Sequence, residues 1–425
     1  MDKYVEILKK LNVGTYFVRE TSAKSVELFF VKKKLDMRRM KDDDSAEITI
    51  YKDMEEDGKK FRGFATVNVN STMSEDEIKE KIASAEYAAS FVKNPFFKFA
   101  KPVKSEKRIQ ASDLNDLELS EIADKFVEAL YSEDHDAKAF INSFELFVRE
   151  DEVHMVNSEG TDVSYVKRSV TGEFVAQCKE PQDVETYKGF EYDSLALDDI
   201  KDLVKTTLKM TADRATATKM PKAGKYDIVL SGQYLATVFD YYAERAHVGY
   251  VYPGYSDFKV GDNVQGDDIK GDKVNLKFAV SVPFDTEGIE MKERDFITDG
   301  VLKTLHGGQR FSYYLGVEPV GTYGKVTMPA GKVSMDDMLK KECLYVVNFS
   351  DFQMDSLDGH FAGEIRLAYY YDGKGNMECV TGGSINGSIF DTQGDLLFSS
   401  EMQKRSYFEG PKACLFKNVA VAGEE

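Results

Sequence analysis

Beyond Pro221-Lys222-Ala223-Gly224 the chain reads as short strand patterns separated by glycine-containing turns, whereas amphipathic helices and longer strand patterns alternate before it. Strands clustered after a helix-bearing half predict an α+β protein. The expected layout is an N-terminal α/β half, strands with long helices, followed by a largely antiparallel, β-rich C-terminal domain. The break sets the domains at 1–220 and 221–425, with a candidate sub-boundary at residues 93–108. A length of 425 residues suits two or three cores better than one.

Residues 1–12 carry Tyr4, Leu8 and Leu11 on one helical stripe. Strand patterns follow at 25–31, 47–52 and 60–69, and Asp57-Gly58 supplies turn chemistry between the last two. Ser74-Glu75-Asp76-Glu77 is a capping box, in which serine oxygen and glutamate each satisfy an orphan backbone N–H. Behind it Ile78, Ile82, Ala85, Ala89 and Val92 recur at helical spacing. Further helices are predicted over 120–131, 197–214 and 232–247. Strands are predicted over 139–148, 153–165 (turning at Asn157-Ser158-Glu159-Gly160) and 226–230. In the second half, hairpins are expected around Asp299-Gly300 and Asp372-Gly373, with further turns at Asn386-Gly387 and Gln393-Gly394.

The net charge of −18 sets the sign of the partners. A polyanion is repelled by phosphate backbones and anionic lipid, so neither nucleic acid nor a membrane surface is expected. One stretch runs against the average. Residues 93–108 hold Lys93, Lys98, Lys101, Lys104, Lys107 and Arg108 around Phe96, Phe97 and Phe99, a composition that can grip single strands. Pro95 and Pro102 punctuate it, which favours a linker whose phenylalanines dock on a neighbouring core. No apolar run exceeds five residues, where a spanning helix needs roughly 20. Met1-Asp2-Lys3-Tyr4-Val5-Glu6 puts charges where a signal peptide is apolar. Cys178, Cys343, Cys379 and Cys414 are scattered without a Cys-x-x-Cys, so a cytoplasmic protein with reduced thiols is expected.

The usual catalytic signatures are missing: no phosphate-binding Gly-x-x-x-x-Gly-Lys loop, no Gly-x-Ser-x-Gly elbow and no His-Glu-x-x-His. The one stretch that invites chemistry is Tyr241-Tyr242-Ala243-Glu244-Arg245-Ala246-His247. Leu235, Phe239, Tyr242 and Ala246 line one face as ordinary core. Glu244 and His247, three apart, emerge together on the other side. They read either as a carboxylate-oriented imidazole or, more simply, as a helix end where histidine meets the C-terminal dipole.

Pro283-Phe284-Asp285-Thr286-Glu287-Gly288, then Ile297-Thr298-Asp299-Gly300-Val301-Leu302-Lys303, then Asn418-Val419-Ala420-Val421-Ala422-Gly423 fall in an order that resembles the TldD/PmbA family. Members are known as DNA gyrase modulators and as peptide-maturation metalloproteases. Arg62-Gly63-Phe64-Ala65-Thr66, Asn157-Ser158-Glu159-Gly160 and Gly224 to Ser231 match in order as well, so the resemblance spans nearly the whole chain. It implies that Phe284, Asp285, Glu287 and Gly288 are the structural signature. It also implies that a zinc-binding His-Glu-x-x-x-His, with a later cysteine, belongs on the helix after residues 224–231. Here that helix offers Tyr242 for the first histidine, Ala243 for the glutamate and His247 for the second histidine. Alanine cannot take a proton from zinc-bound water, and neutral tyrosine is a poor zinc ligand. Cys414 lies too close to the C-terminal ending to be the later cysteine; upstream stand Ser399 and Ser400.

The resemblance therefore implies a non-catalytic, PmbA-like (TldE) subunit, with no catalytic residue, metal or cofactor of its own. It would take part in proteolysis or peptide maturation. Its partners would be a TldD-like metalloprotease subunit that holds the zinc, or a second copy of itself as a homodimer, together with a peptide substrate. Two alternatives stand beside it: a stand-alone metallopeptidase rebuilt around His247 and Glu244 with His306 or His360, or a non-enzymatic protein-binding regulator of the gyrase-modulator type. Tyr313-Tyr314 and Tyr369-Tyr370-Tyr371 suit an interface or a core equally.

Overall fold

The computed structural model describes residues 1–135 and 138–424. Its N-terminal half is built on one long sheet. Strands β1 (Thr15–Val31), β2 (Lys34–Glu56), β3 (Lys59–Asn70), β4 (Arg108–Ile109), β5 (Ala139–Asn157), β6 (Asp162–Cys178) and β7 (Val184–Tyr192) lie in the order β3–β2–β1–β5–β6–β7. All neighbours on that path are antiparallel, and the short β4 runs parallel to β6. Two-residue alternation places Tyr16, Val18, Val26 and Leu28 of β1 on one face and Phe17 and Arg19 on the other.

Four helices cover the first face. At one end α1 (Asp2–Lys10) and α2 (Glu75–Ala89) bury Ile7, Leu8, Ile78 and Ile82 against Val18, Ile48 and Ile50. At the other, α3 (Leu119–Tyr131) and α4 (Leu197–Thr216) bury Phe126, Leu130, Ile200 and Val204 against Leu28, Leu146 and Val148. The capping box starts α2 as expected: Ser74 Oγ accepts from the Glu77 N–H, and Glu77 accepts from the Ser74 N–H at 2.8 Å.

The C-terminal half begins with β8 (Gly224–Ser231), which runs straight into α5 (Gly232–Ala246). In its main sheet β8 lies between strands Glu342–Met354 and Ala413–Ala422, followed by Ser384–Ser388, His360–Asp372 and Met377–Val380. Strands Glu342–Met354 and His360–Asp372 also pair, so five strands form a hydrogen-bonded ring. Only the contact between β8 and Glu342–Met354 in that ring is parallel. Helix α5 buries Leu235, Val238, Phe239 and Tyr242 in the largest core, beside Phe398 and Phe416. The protein is α+β. Among the described residues no helix is long and apolar enough to cross a membrane.

Several local readings change: the strands expected at 25–31 and 47–52 run over Thr15–Val31 and Lys34–Glu56, and the 153–165 segment is shared between β5 and β6. Strand β5 runs unbroken through Arg149-Glu150-Asp151-Glu152, where charge suggested a gap between 148 and 153. Backbone pairing to β1 and β6 runs through that stretch, and its charges are answered by the ion pairs Arg149–Asp151 and Arg168–Glu150, both at 2.6 Å. Strand β7 was not anticipated. Asn386-Gly387 is not a turn but lies inside strand Ser384–Ser388. A Cβ at Gly387 would come 2.3 Å from the Phe361 ring, so glycine is there for close approach. Asp299-Gly300 is a tight turn as expected, with φ of 50° and 81°.

Of the phenylalanines in residues 93–108, Phe97 is buried and Phe96 and Phe99 are half-buried. Arg62, paired to Asp53 through two bonds of 2.6 and 2.8 Å, lies over Phe96, Phe97 and Phe99 at 4.5, 5.6 and 5.3 Å. The tyrosine runs are likewise used within the chain: Tyr369 bonds Asp213 at 2.6 Å and Tyr370 bonds Glu342 at 2.7 Å, while Tyr313 stays exposed.

The two halves meet where Phe284 enters the helix-free face of the first sheet, among Phe17, Val153, Met155, Val163 and Tyr165. Arg108 covers the ring at 4.7 Å. Phe284→Ala should therefore cost about 3–5 kcal/mol and split thermal unfolding into two transitions, as read by differential scanning calorimetry.

Candidate functional site

The loop 283–290 that delivers Phe284 is locked by its neighbour. Asp285 Oδ1 accepts from the backbone N–H groups of Glu287 and Ile289, both at 2.9 Å, and Oδ2 from Thr322 at 3.4 Å. Burial pushes its carboxyl up, against those bonds. Gly288 turns the chain at φ 78°, and a Cβ there would touch Thr161 Cγ2 at 3.0 Å. The loop thus aims Glu287 away from Phe284.

Glu287 meets a second loop. Its Oε2 accepts from the N–H of Gln309 at 2.7 Å, the first residue of the helix Gln309–Leu315. A Cβ at Gly308 would lie 2.4 Å from the same oxygen, so only glycine lets the carboxylate approach. On the other side of this backbone stands His247, whose Nε2 would lie 3.0 Å from a Cβ at Gly307. The Gly307-Gly308 pair is therefore clasped between the two stretches that the sequence singled out separately.

Beside Glu287 a cleft of about 430 Å³ opens between the two halves. One wall is the helix-free face of the first sheet, with Phe17, Arg19, Glu47, Thr49, Tyr51, Phe64 and Thr66; the other carries Glu287 and Arg310. Burial, with Asp285 adding to it, pushes the Glu287 carboxyl up to about 7, although the Gln309 N–H and Arg310 oppose the shift. Tyr51 is raised for the same leading reason, burial. The Arg310 guanidinium lies over the Phe64 and Phe311 rings at 5.5 and 4.2 Å. The cleft thus sets charge and aromatic surface side by side.

The helix end does not assemble a metal set. Tyr242 is fully buried and donates to Gln393 Oε1 at 2.8 Å. Its neighbour Ala243 carries no ligand atom, and the Ala243 carbonyl accepts from His306 Nε2 at 2.8 Å. The other His306 nitrogen accepts from the Tyr323 N–H at 3.2 Å, so both are taken, and burial pushes this imidazole down to about 4. His247 ends α5 rather than extending it. Its Nδ1 accepts from the Gly249 N–H at 3.1 Å, leaving Nε2 near Thr322 Oγ1 at 3.4 Å. Burial lowers its pKa, with Glu244 opposing. Glu244 is exposed and bonds His247 through its backbone carbonyl, at 3.0 Å. His360 is paired with Asp358 at 3.2 Å. Cys414 and Ser399 are buried, and Ser399 Oγ is spent on Glu401 O and the Ala413 N–H. Zinc does not fit these residues. Among the described residues no three His, Cys, Asp or Glu side chains form a metal-ligand group.

Models described as the PmbA/TldA metallopeptidase central domain and the PmbA/TldA metallopeptidase C-terminal domain match residues 109–218 and 223–423. The chain belongs to the TldD/PmbA family. Solved structures share the fold over nearly the full length. TldE from Thermococcus kodakarensis superposes with a TM-score of 0.78 at 16% identity, covering 99% of this chain and 100% of that one. A candidate modulator of a DNA gyrase from Thermotoga maritima gives 0.76 at 18%, covering 99% of each chain. Another, from Bacteroides thetaiotaomicron, gives 0.77 at 15%, covering 99% of this chain and 98% of that one. No curated protein matches the chain.

Sequence reasoning reached Glu287 and His247 but not the cleft. Phe64 and Thr66 stood in a segment noted for its family resemblance, and strand alternation would have put them on one face. Arg19 and Tyr51 share a wall through the pairing of β1 and β2, and Arg310 carried no signal because only the docking of the two halves brings it to them.

Folded Glu287 keeps its proton to about pH 7, whereas the unfolded carboxyl loses it near 4.5. Between those values the folded state binds more protons, so stability falls as pH rises from about 4.5 to 7 and stays lower above. Glu287→Gln should flatten that fall by about 2 kcal/mol in urea titrations at pH 5 and 8. Equal slopes would refute the assignment.

Proposed function

We propose that this chain is the non-catalytic, PmbA-type member of a cytoplasmic peptide-processing pair, holding an extended peptide in the Glu287–Arg310 cleft while a TldD-like partner supplies the zinc and the hydrolysis. One observation carries the reading. At the helix position where the resemblance expects the metal motif, Tyr242 is sealed into the core and bonded to Gln393, and His306 has both ring nitrogens occupied. A lone imidazole, His247, cannot hold a catalytic zinc, which takes three protein ligands and a water. What this chain offers instead is a cleft rimmed by Arg310 and Glu287, with the Thr49 and Thr66 hydroxyls joined at 2.8 Å across its sheet wall.

Two measurements test this. Plasma mass spectrometry on the untagged chain should find no stoichiometric zinc, and His247→Ala should leave the metal content unchanged. One zinc per chain, lost in that variant, would instead make this chain the peptidase. Mixing with a TldD-like chain should give a complex and raise peptide hydrolysis. Thr66→Trp, at an exposed position on the cleft wall, should remove most of the gain without preventing the complex.

A further inference from the structure

A second pocket lies at the opposite end of α5 from His247, about 22 Å along a helix of 15 residues. Of about 140 Å³, it is closed by β7 and α4 of the first half and by the start of α5 and residues 403–412 of the second. Its basic side chains are Lys188, Lys404, Arg405 and Lys412, against the two acidic groups Asp199 and Asp202. In a chain of net charge −18 that excess of cations is against the trend.

Lys188 is the centre of the argument. It occupies an inward position of β7, in line with Thr186, Phe190 and Tyr192, and is only 7% exposed. No hydrogen bond or ion pair joins its ammonium to any described residue; it lies over the face of Tyr234 at 5.3 Å. A second cation, Arg405, acts on it unfavourably, and among the described residues no carboxylate forms an ion pair with either. Asp202 is exposed and paired with Lys412 at 3.3 Å, and Asp199 is exposed at the rim. A largely buried, unpaired ammonium that opens only onto this pocket, with another cation nearby, is costly unless something negative completes it.

The same cavity contains the start of α5. No side chain caps that helix: Ser231 Oγ turns instead to the Tyr345 hydroxyl at 2.9 Å. Gly232 begins it at φ 62° with its own N–H donated to the Lys412 carbonyl at 3.4 Å, and Arg405 Nη2 lies 3.3 Å from where a Cβ on Gly232 would be, so the guanidinium stands beside the helix start. The start of α5, the Lys188 ammonium and the Arg405 guanidinium thus line one small space.

We infer that this pocket binds a compact oxyanion, a phosphoryl or carboxylate group, held between Lys188, Arg405 and the N-terminus of α5. The volume takes one such head and not a nucleotide. Because the walls come from both halves, a bound anion ties β7 and α4 to α5 and so stabilises their junction.

The test uses the full chain in thermal melts and isothermal titration calorimetry. The probes are inorganic phosphate and N-acetylglycine, with N-acetylglycinamide and sodium chloride at equal ionic strength as controls. Saturable binding and a raised Tm are expected with phosphate, with N-acetylglycine, or with both; which of them acts identifies the group. Lys188→Met, which keeps the volume of the stem, should weaken binding at least about tenfold, and Arg405→Gln should do the same if the first variant fails to fold. The inference is overturned if neither anion binds, if the amide or chloride does as well, or if the variants bind like the native chain.

Discussion

The insertion of Phe284 into the helix-free face of the first sheet is the contact on which the rest of the molecule depends. A sheet face that received no helix would otherwise expose Phe17, Val153, Met155 and Val163 to water, and apolar burial of that kind is the main favourable term at any junction. With the ring in place, the backbone that carries it must turn sharply. Asp285 makes that turn by collecting the N–H groups of the next residues, and the turn delivers Glu287 to the helix start at Gln309. The cleft is what remains between the two surfaces so held apart. Its position thus follows from one buried aromatic ring and one carboxylate that satisfies backbone donors.

The same logic separates structural from available chemistry. Asp285 is consumed by backbone donors, His306 by one donor and one acceptor, and Tyr242 by Gln393. Groups already satisfied in a low-dielectric interior gain little by turning to a ligand. Glu287, Arg310 and, at the far end of α5, Lys188 differ in kind. Each keeps charge or hydrogen-bonding capacity directed at open space, which is the state in which a side chain can recognise something else.

Helix α5 links the two candidate sites. Its C-terminal end carries His247 against Gly307, beside the cleft, and its N-terminal end faces the basic pocket. Both lie at the boundary between the halves, where ligands commonly bind because two surfaces contribute. The helix is buried almost all round, Arg245 included, so neither end moves without disturbing the largest core.

The fold class, the capping box of α2, the turn at Asp299-Gly300 and the family were legible because each rests on residues close in sequence, where propensity, periodicity and turn chemistry act locally. That Ala243 brings no carboxylate was legible for the same reason, whatever surrounds it. Tertiary structure decided the rest. Strand β5 stays whole through a charged stretch because β1 and β6 pair it on both sides and Arg168 on β6 answers Glu150, and at Gly387 the Phe361 ring leaves no room for a side chain. The cleft joins residues near 17, 51, 64, 287 and 310, and the basic pocket joins residues near 188, 231, 345 and 405. Burial and charge at those places are properties of long-range packing, which no local pattern encodes.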